Sequence, residues 1–323
     1  MLPQVVDAQT ADVYFLRARD VLRELNRDPR VGMQIFCRLG GVFCGGRQVQ
    51  QLLSDVDYSG ELWMLDEGET LEPGEAAVEI FDRYSTFGLY ETAILGMLAS
   101  CTGWATAARR VVEAAGDVPV ISFGARHVHP NVAGIMDFAA IIGGCVTCST
   151  PLGAALAGTA PSGTMPHAYV LIVGDTVEAA AAFDRAMPGD VTRVILVDTF
   201  QDETVESLRV ARALGSHLAG VRLDTPSERG GVTPALVQEL RARLDLAGYK
   251  LVQIVVSGGL DPERIEAFRA HGAPVDAYGV GSYISGARAI DFTADIREIE
   301  GVPVAKRGRT PGMQRNPRLK RVQ

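Results

Sequence analysis

Apolar positions 13, 16, 21, 22 and 25 in the stretch DVYFLRARDVLREL fall at helical spacing and predict an amphipathic helix over 12–25. From 31 to 81 the pattern shortens to β-rich runs, VGMQIFCR, GVFCGG and ELWMLDEGETLEPGEAAVEIF, broken by glycine and carrying hairpin turns near EGET and EPGE. These runs have no long helices between them and predict a small β-containing domain. Residues 85–115 form a helical pattern rich in alanine and leucine, with an expected interruption near Thr102 and Gly103. From about 118 onward, apolar runs alternate with helical stretches such as TVEAAAAFDRAM, DETVESLRVARAL and DPERIEAFRAHG, the signature of a parallel sheet.

Six segments share one layout, a β-branched apolar run followed by a polar or glycine-rich turn: ISFGAR (121–126), GTMPH (163–167), VILVDT (194–199), GVRLDT (220–225), QIVVSGG (253–259) and AYGVGS (277–282). Ligands bind at the carboxyl ends of parallel strands, so these turns predict one shared active site. The expected fold is α/β: an irregular TIM-like α/β barrel with a smaller N-terminal α+β domain joined by the C-terminal segment. Its expected divisions are 1–117, 118–288 and 289–323. An open doubly wound sheet is the alternative.

A formal charge of -8 gives no general affinity for nucleic acid or anionic membranes, so neither is expected as a partner. The start, MLPQVVDAQTADVYF, has no leader pattern, and no run of eighteen uncharged apolar residues occurs, which predicts a cytoplasmic protein. The cysteines, Cys37, Cys44, Cys101, Cys145 and Cys148, are odd in number and sparse, so reduced thiols are expected. Cys145 and Cys148 form a C-x-x-C among glycines and small apolar residues, where a buried inert pair is the simpler reading. The last stretch holds Lys306, Arg307, Arg309, Arg315, Arg318, Lys320 and Arg321 with no acid after Glu300, which reads as a solvated or docking arm.

Chemistry concentrates at the strand exits. Ser257, Gly258 and Gly259 precede a helix that Asp261 can cap, and Gly279, Gly281 and Ser282 repeat the arrangement one unit later. Two glycine turns at late strands predict a phosphate corner, and hence a sugar-phosphate ligand. Arg222 and Asp224 alternate along one strand and should face the same side, either as site residues or as a structural ion pair. Arg126 follows another strand directly. Asp198 and Thr199 offer a carboxylate and a hydroxyl for ribose hydroxyls, magnesium or water, and Thr164 and His167 close the set from GTMPH.

The segments TADVYF (10–15), YETAIL (90–95), SFGAR (122–126), GTMPHA (163–168), LVDTFQDE (196–203), GVRLDT (220–225), SGG (257–259) and GVGS (279–282) together resemble the nicotinate phosphoribosyltransferase family, of the type II phosphoribosyltransferase fold, in its archaeal-type short form. The resemblance implies transfer of a phosphoribosyl group from 5-phosphoribosyl 1-diphosphate to nicotinate, giving nicotinate mononucleotide and diphosphate in NAD salvage. It also implies coupling to ATP hydrolysis, with His167 carrying the phosphoryl group. Phe123 matches the position that stacks on the pyridine ring, and Tyr14 the aromatic that reaches in from a neighbouring subunit, which implies a homodimer or a dimer-based higher oligomer.

Breaking the ribose C1 to diphosphate bond builds positive charge on the sugar, so magnesium, carried by Asp198 or Asp224, and the cations Arg126 and Arg222 suit this chemistry. The chain departs from the family at His127, where nicotinate enzymes often show a second arginine. It also has no cysteine after Cys148, so no zinc is expected in the tail. The rival readings are a nicotinamide or quinolinate enzyme and a non-catalytic mononucleotide-binding relative. Quinolinate carries a second carboxylate and would call for more cations than Arg126, His127 and Arg222.

Overall fold

A computed structural model describes residues 1–323, which divide into two compact units, Met1–Thr106 with Ala287–Gln323, and Ala107–Gly286. The first unit is built on a six-stranded antiparallel sheet. Five strands come early in the chain: β1 (Arg30–Cys37), β2 (Gly41–Val42), β3 (Glu61–Met64), β4 (Thr70–Leu71) and β5 (Ala76–Arg83). Three more, β12 (Phe292–Ile299), β13 (Val302–Pro303) and β14 (Lys320–Arg321), come from the C-terminal stretch. The order is β13-β12-β1-β5-β3-β14, with β2 and β4 pairing separately.

Alternation along β3 sends Leu62 and Met64 inward, where they meet Ile35, Val78, Ile80 and the helix Gly46–Asp55 through Val49, Leu52 and Leu53. The basic arm is docked within this unit. Asp295, almost wholly buried, holds Lys306 at 2.6 Å and Arg309 at 2.9 Å, Arg318 meets Glu75 at 2.8 Å, and Lys320 pairs with Asp66. The expected helices also form: Val13–Glu24 is one, and Glu91–Ala115 is another. The second is continuous through Gly103, contrary to expectation. A Cβ there would lie 2.4 Å from the Arg288 carbonyl oxygen, so this glycine serves close packing rather than a break.

The second unit holds six parallel strands: β6 (Val120–Ser122), β7 (Thr147–Cys148), β8 (Val194–Leu196), β9 (Gly220–Leu223), β10 (Gln253–Val256) and β11 (Ala277–Val280). Their order is β7-β6-β11-β10-β9-β8, with every neighbouring pair parallel. Valine and isoleucine dominate β8 to β10, which are mostly buried, as befits strands covered on both faces.

The sheet is a curled half-barrel, and the expected closed barrel is not formed. Between β7 and β8 the chain runs through three helices, Pro151–Ala157, His167–Val173 and Thr176–Ala186, with no strand among them. The segment Gly163–His167 is therefore a loop leading into a helix instead of a strand exit, and β7 and β8 remain edges with one partner each.

Candidate active site

The carboxyl ends of β6, β9, β10 and β11 meet at one cavity of about 520 Å³, and Thr164 and His167 close it from the loop before the helix His167–Val173. Arg222 and Asp224, two residues apart at the end of β9, both face this cavity, and they are also an ion pair at 3.1 Å. Arg222 uses its whole fork: Nε donates to Ser257 Oγ at 2.9 Å, Nη1 to Thr164 Oγ1 at 3.3 Å and Nη2 to Asp224 Oδ2. The guanidinium also lies 4.8 Å from the centre of the Phe123 ring, a cation–π contact. Burial pulls the Arg222 pKa down, and Asp224 and Asp198 oppose that pull.

Asp198 has a different role from its neighbour. Its side chain is 1% exposed, and its Oδ2 accepts the Asp224 backbone N–H at 2.6 Å. Its other oxygen, Oδ1, is buried without a hydrogen-bond partner and stands 3.8 Å from His167 Nε2. Burial pushes the Asp198 carboxyl above the usual carboxylate range, while the Asp224 N–H and His167 work against the rise. His167 Nε2 is also 3.9 Å from Asp224 Oδ2, and its Nδ1 shares a hydrogen bond with Thr199 Oγ1 at 3.0 Å. One imidazole thus faces two carboxylates with its other nitrogen anchored.

The two glycine turns line the same cavity. Gly258 and Gly259 have φ of 95° and 61°, in the left-handed region open to glycine. Arg264 donates to both of their carbonyl oxygens, at 3.0 and 2.9 Å, and Asp261 caps the following helix by accepting from Arg264 N at 2.8 Å. At β11, a Cβ on Gly279 would lie 2.4 Å from the Phe123 ring, and one on Gly281 would lie 3.0 Å from the Phe123 carbonyl oxygen. These glycines give Phe123 its place under Arg222. Ser282 begins the short helix beyond.

Of the residues expected at the site, Phe123, Arg126, Thr164, His167, Arg222, Asp224, Ser257, Gly258, Gly259, Gly279, Gly281 and Ser282 line the cavity. Asp198 and Thr199 act from behind it through Asp224 and His167. Tyr14 belongs to the first unit, where it is 58% exposed and its hydroxyl donates to Asp12 Oδ2 at 3.3 Å. Sequence reasoning missed Arg264, and it missed Glu203, whose Oε1 accepts from Thr225 Oγ1 at 2.7 Å just beyond Asp224. Glu203 lay in the LVDTFQDE segment, but only the fold reveals its partner. Cys145 and Cys148 are buried free thiols, both pushed up chiefly by burial, Cys148 to about 11, as an inert pair requires.

No group of three or more histidine, cysteine or acidic side chains is placed to hold a metal ion. A magnesium ion that retains water and substrate phosphate oxygens needs only one or two protein carboxylates. Asp224, on the cavity wall, fits that limited demand; Asp198, beneath it, does not reach the opening.

Fold and site define an open-barrel α/β domain with two glycine turns and the half-buried Arg222 at the cavity formed by the ends of its strands. The family described as quinolinate phosphoribosyl transferase, C-terminal domain, matches residues 104–295, and its N-terminal domain matches residues 12–102. The chain belongs to the quinolinate phosphoribosyltransferase family. The crystal structure of nicotinate-nucleotide pyrophosphorylase from Pyrococcus furiosus is similar with a TM-score of 0.89 and 43% identity, over 97% of this chain and 81% of that one. Nicotinate phosphoribosyltransferase pncB1 of Mycobacterium tuberculosis is 33% identical over 79% of this chain and 57% of its own length. This chain spans about half the length of the curated relatives it matches. Human nicotinic acid phosphoribosyltransferase, at 19% identity and a TM-score of 0.77, shares the fold.

These findings overturn the expected membership of the nicotinate phosphoribosyltransferase family, and with it the ATP-coupled, ligase-type reaction and the phosphoryl-carrying His167. The physical reason is that the motifs behind that expectation, SGG, GVGS and GVRLDT, are strand-end turns whose residue types suit any phosphorylated ribose. They carry no information about which base the ribose meets.

Proposed function

We propose that this site transfers the phosphoribosyl group of 5-phosphoribosyl 1-diphosphate to the ring nitrogen of quinolinate, giving nicotinate mononucleotide, diphosphate and carbon dioxide. The observation that carries this reading is Arg222, whose guanidinium lies over Phe123 while bonded to Asp224 and Ser257 inside the cavity. An aromatic face beside a fixed cation suits a flat, anionic ring, and the family match favours a pyridine dicarboxylate.

In this reading the two glycine turns hold the 5-phosphate through backbone N–H groups. As the C1 to diphosphate bond breaks, positive charge on the ribose is met by Asp224, which Asp198 holds in place. The ring nitrogen supplies the electron pair of the new bond. The ring then carries a positive charge next to the C2 carboxylate, whose bond electrons stay on C2 as carbon dioxide leaves, and C2 takes a proton. Arg126, Arg264 and His127 add cations or donors for the second carboxylate and the diphosphate. Asp224 would be the protein carboxylate for a magnesium ion, which would supply charge neutralisation of the leaving diphosphate. A homodimer in which Tyr14 serves a neighbouring site is part of the same proposal.

The test is to offer quinolinate, nicotinate and nicotinamide separately with 5-phosphoribosyl 1-diphosphate and magnesium, and to detect mononucleotide and released carbon dioxide. Quinolinate is expected to give both products at a rate unchanged by ATP. Turnover of nicotinate or nicotinamide with none of quinolinate overturns the proposal.

A further inference from the structure

The first unit contains a cavity of about 340 Å³ whose lining shares no residue with the strand-end cavity. Its floor is apolar, formed by Phe15, Leu22 and Leu89 with the Tyr84 ring, and its rim carries Arg19, Arg23 and Arg27. The helix Val13–Glu24 explains how three arginines gather there. Arg19 and Arg23 are four residues apart, so they stack on one face. Asn26, at a φ of 51°, then turns the chain back through bonds from its own N–H to Arg23 O at 3.0 Å and from Arg27 N to Leu22 O at 2.9 Å. That turn returns Arg27 to the same rim.

Like charges stacked one helical turn apart repel, and little in the chain relieves them. Arg19 pairs with Asp20 at 2.8 Å. The acid at the rim, Asp28, is already taken by Ser85, whose N–H and hydroxyl donate to its two oxygens at 3.1 and 2.9 Å. Arg23 and Arg27 make no ion pair within the chain. The C-terminal end of the helix favours cations in general, but that field does not use the hydrogen-bonding fork of a guanidinium.

We propose that this cavity binds a small aromatic anion, with the ring on the Phe15 and Leu22 floor and a sulfonate, carboxylate or phosphate group held by Arg23 and Arg27. The volume lies within the range of small-molecule sites, and paired forks match a planar or tetrahedral oxyanion. The proposal is separate from the catalytic reading of the strand-end cavity, since the two cavities share no lining residue.

The test titrates the full chain with 1-anilinonaphthalene-8-sulfonate, followed by fluorescence, and compares the double variant R23Q/R27Q. Both arginines are exposed, so the variant is expected to keep the melting temperature of the parent. The expected result is at least tenfold weaker binding by the variant, with adenosine 5'-monophosphate displacing the probe from the parent chain and adenosine failing to do so. Equal binding by the variant, or equal displacement by adenosine, overturns the assignment.

Discussion

Asp198 holds Asp224 from behind: its Oδ2 accepts the Asp224 backbone N–H at 2.6 Å, while its own Oδ1 is buried without a partner. A buried carboxylate with one unsatisfied oxygen is costly when ionised, which is why burial raises its pKa.

Replacing that charge should separate stability from catalysis. Asp198→Asn keeps an acceptor for the Asp224 N–H but removes the buried charge. Since the folded pKa is raised, the native state loses stability as pH rises from the unfolded value through the folded one, and the variant escapes this loss. A melting temperature about 2–4 °C higher at pH 8, with no gain at pH 3, is expected together with a kcat about 100-fold lower. Thermal melts at both pH values and steady-state rates check it.

Arg222→Lys conserves charge but not the fork. Three separate nitrogens serve Ser257, Thr164 and Asp224, and one ammonium cannot reach all three. Losing one charge-assisted bond costs about 1.5–3 kcal/mol, so kcat/KM should fall by at least about tenfold. Kinetics with the acceptor varied is the measurement, and a lysine variant at parental efficiency would contradict the role given to Arg222.

Gly279→Ala tests the seat of Phe123. The added methyl would sit 2.4 Å from the ring, so the ring must move from under Arg222. A loss of about 1–3 kcal/mol in stability is expected from overpacking. KM for the pyridine acceptor should rise more than KM for 5-phosphoribosyl 1-diphosphate, which a two-substrate titration resolves.

In the first unit, burial pushes the Glu91 carboxyl up to about 7, with Lys306 opposing the rise. A raised acid favours the folded state while it is protonated. Stability should therefore decline as pH climbs from the ordinary value of 4.5 toward about 7. Glu91→Gln should flatten that decline, as denaturant titrations at pH 5 and pH 8 would show; an unaltered slope would place the titration elsewhere.

Much of this arrangement was readable along the chain, where local physics decides. The spacing of Arg222 and Asp224 sends both side chains to one face, and the glycine turns after β10 and β11 follow from left-handed backbone or close approach to a ring. The helix Val13–Glu24 follows from its apolar periodicity. Other features depend on distant partners. Gly103 looked like a helix break because its reason, the Arg288 carbonyl, lies 185 positions further on. GTMPH looked like a strand exit because short apolar flanks do not reveal whether a sheet neighbour exists.

The sequence by itself determined the alternation of strand and helix, the glycine and polar composition of the strand-end turns and the shared face of Arg222 and Asp224, since these arise from residue type and short-range spacing. Tertiary structure alone decided that the sheet stays open, that the Asp198 side chain sits buried behind Asp224 and holds its backbone N–H, and that Glu203 and Arg264 brace the rim. Those outcomes depend on which groups are left to pair after the chain has packed, and periodicity along one strand holds no record of its partner.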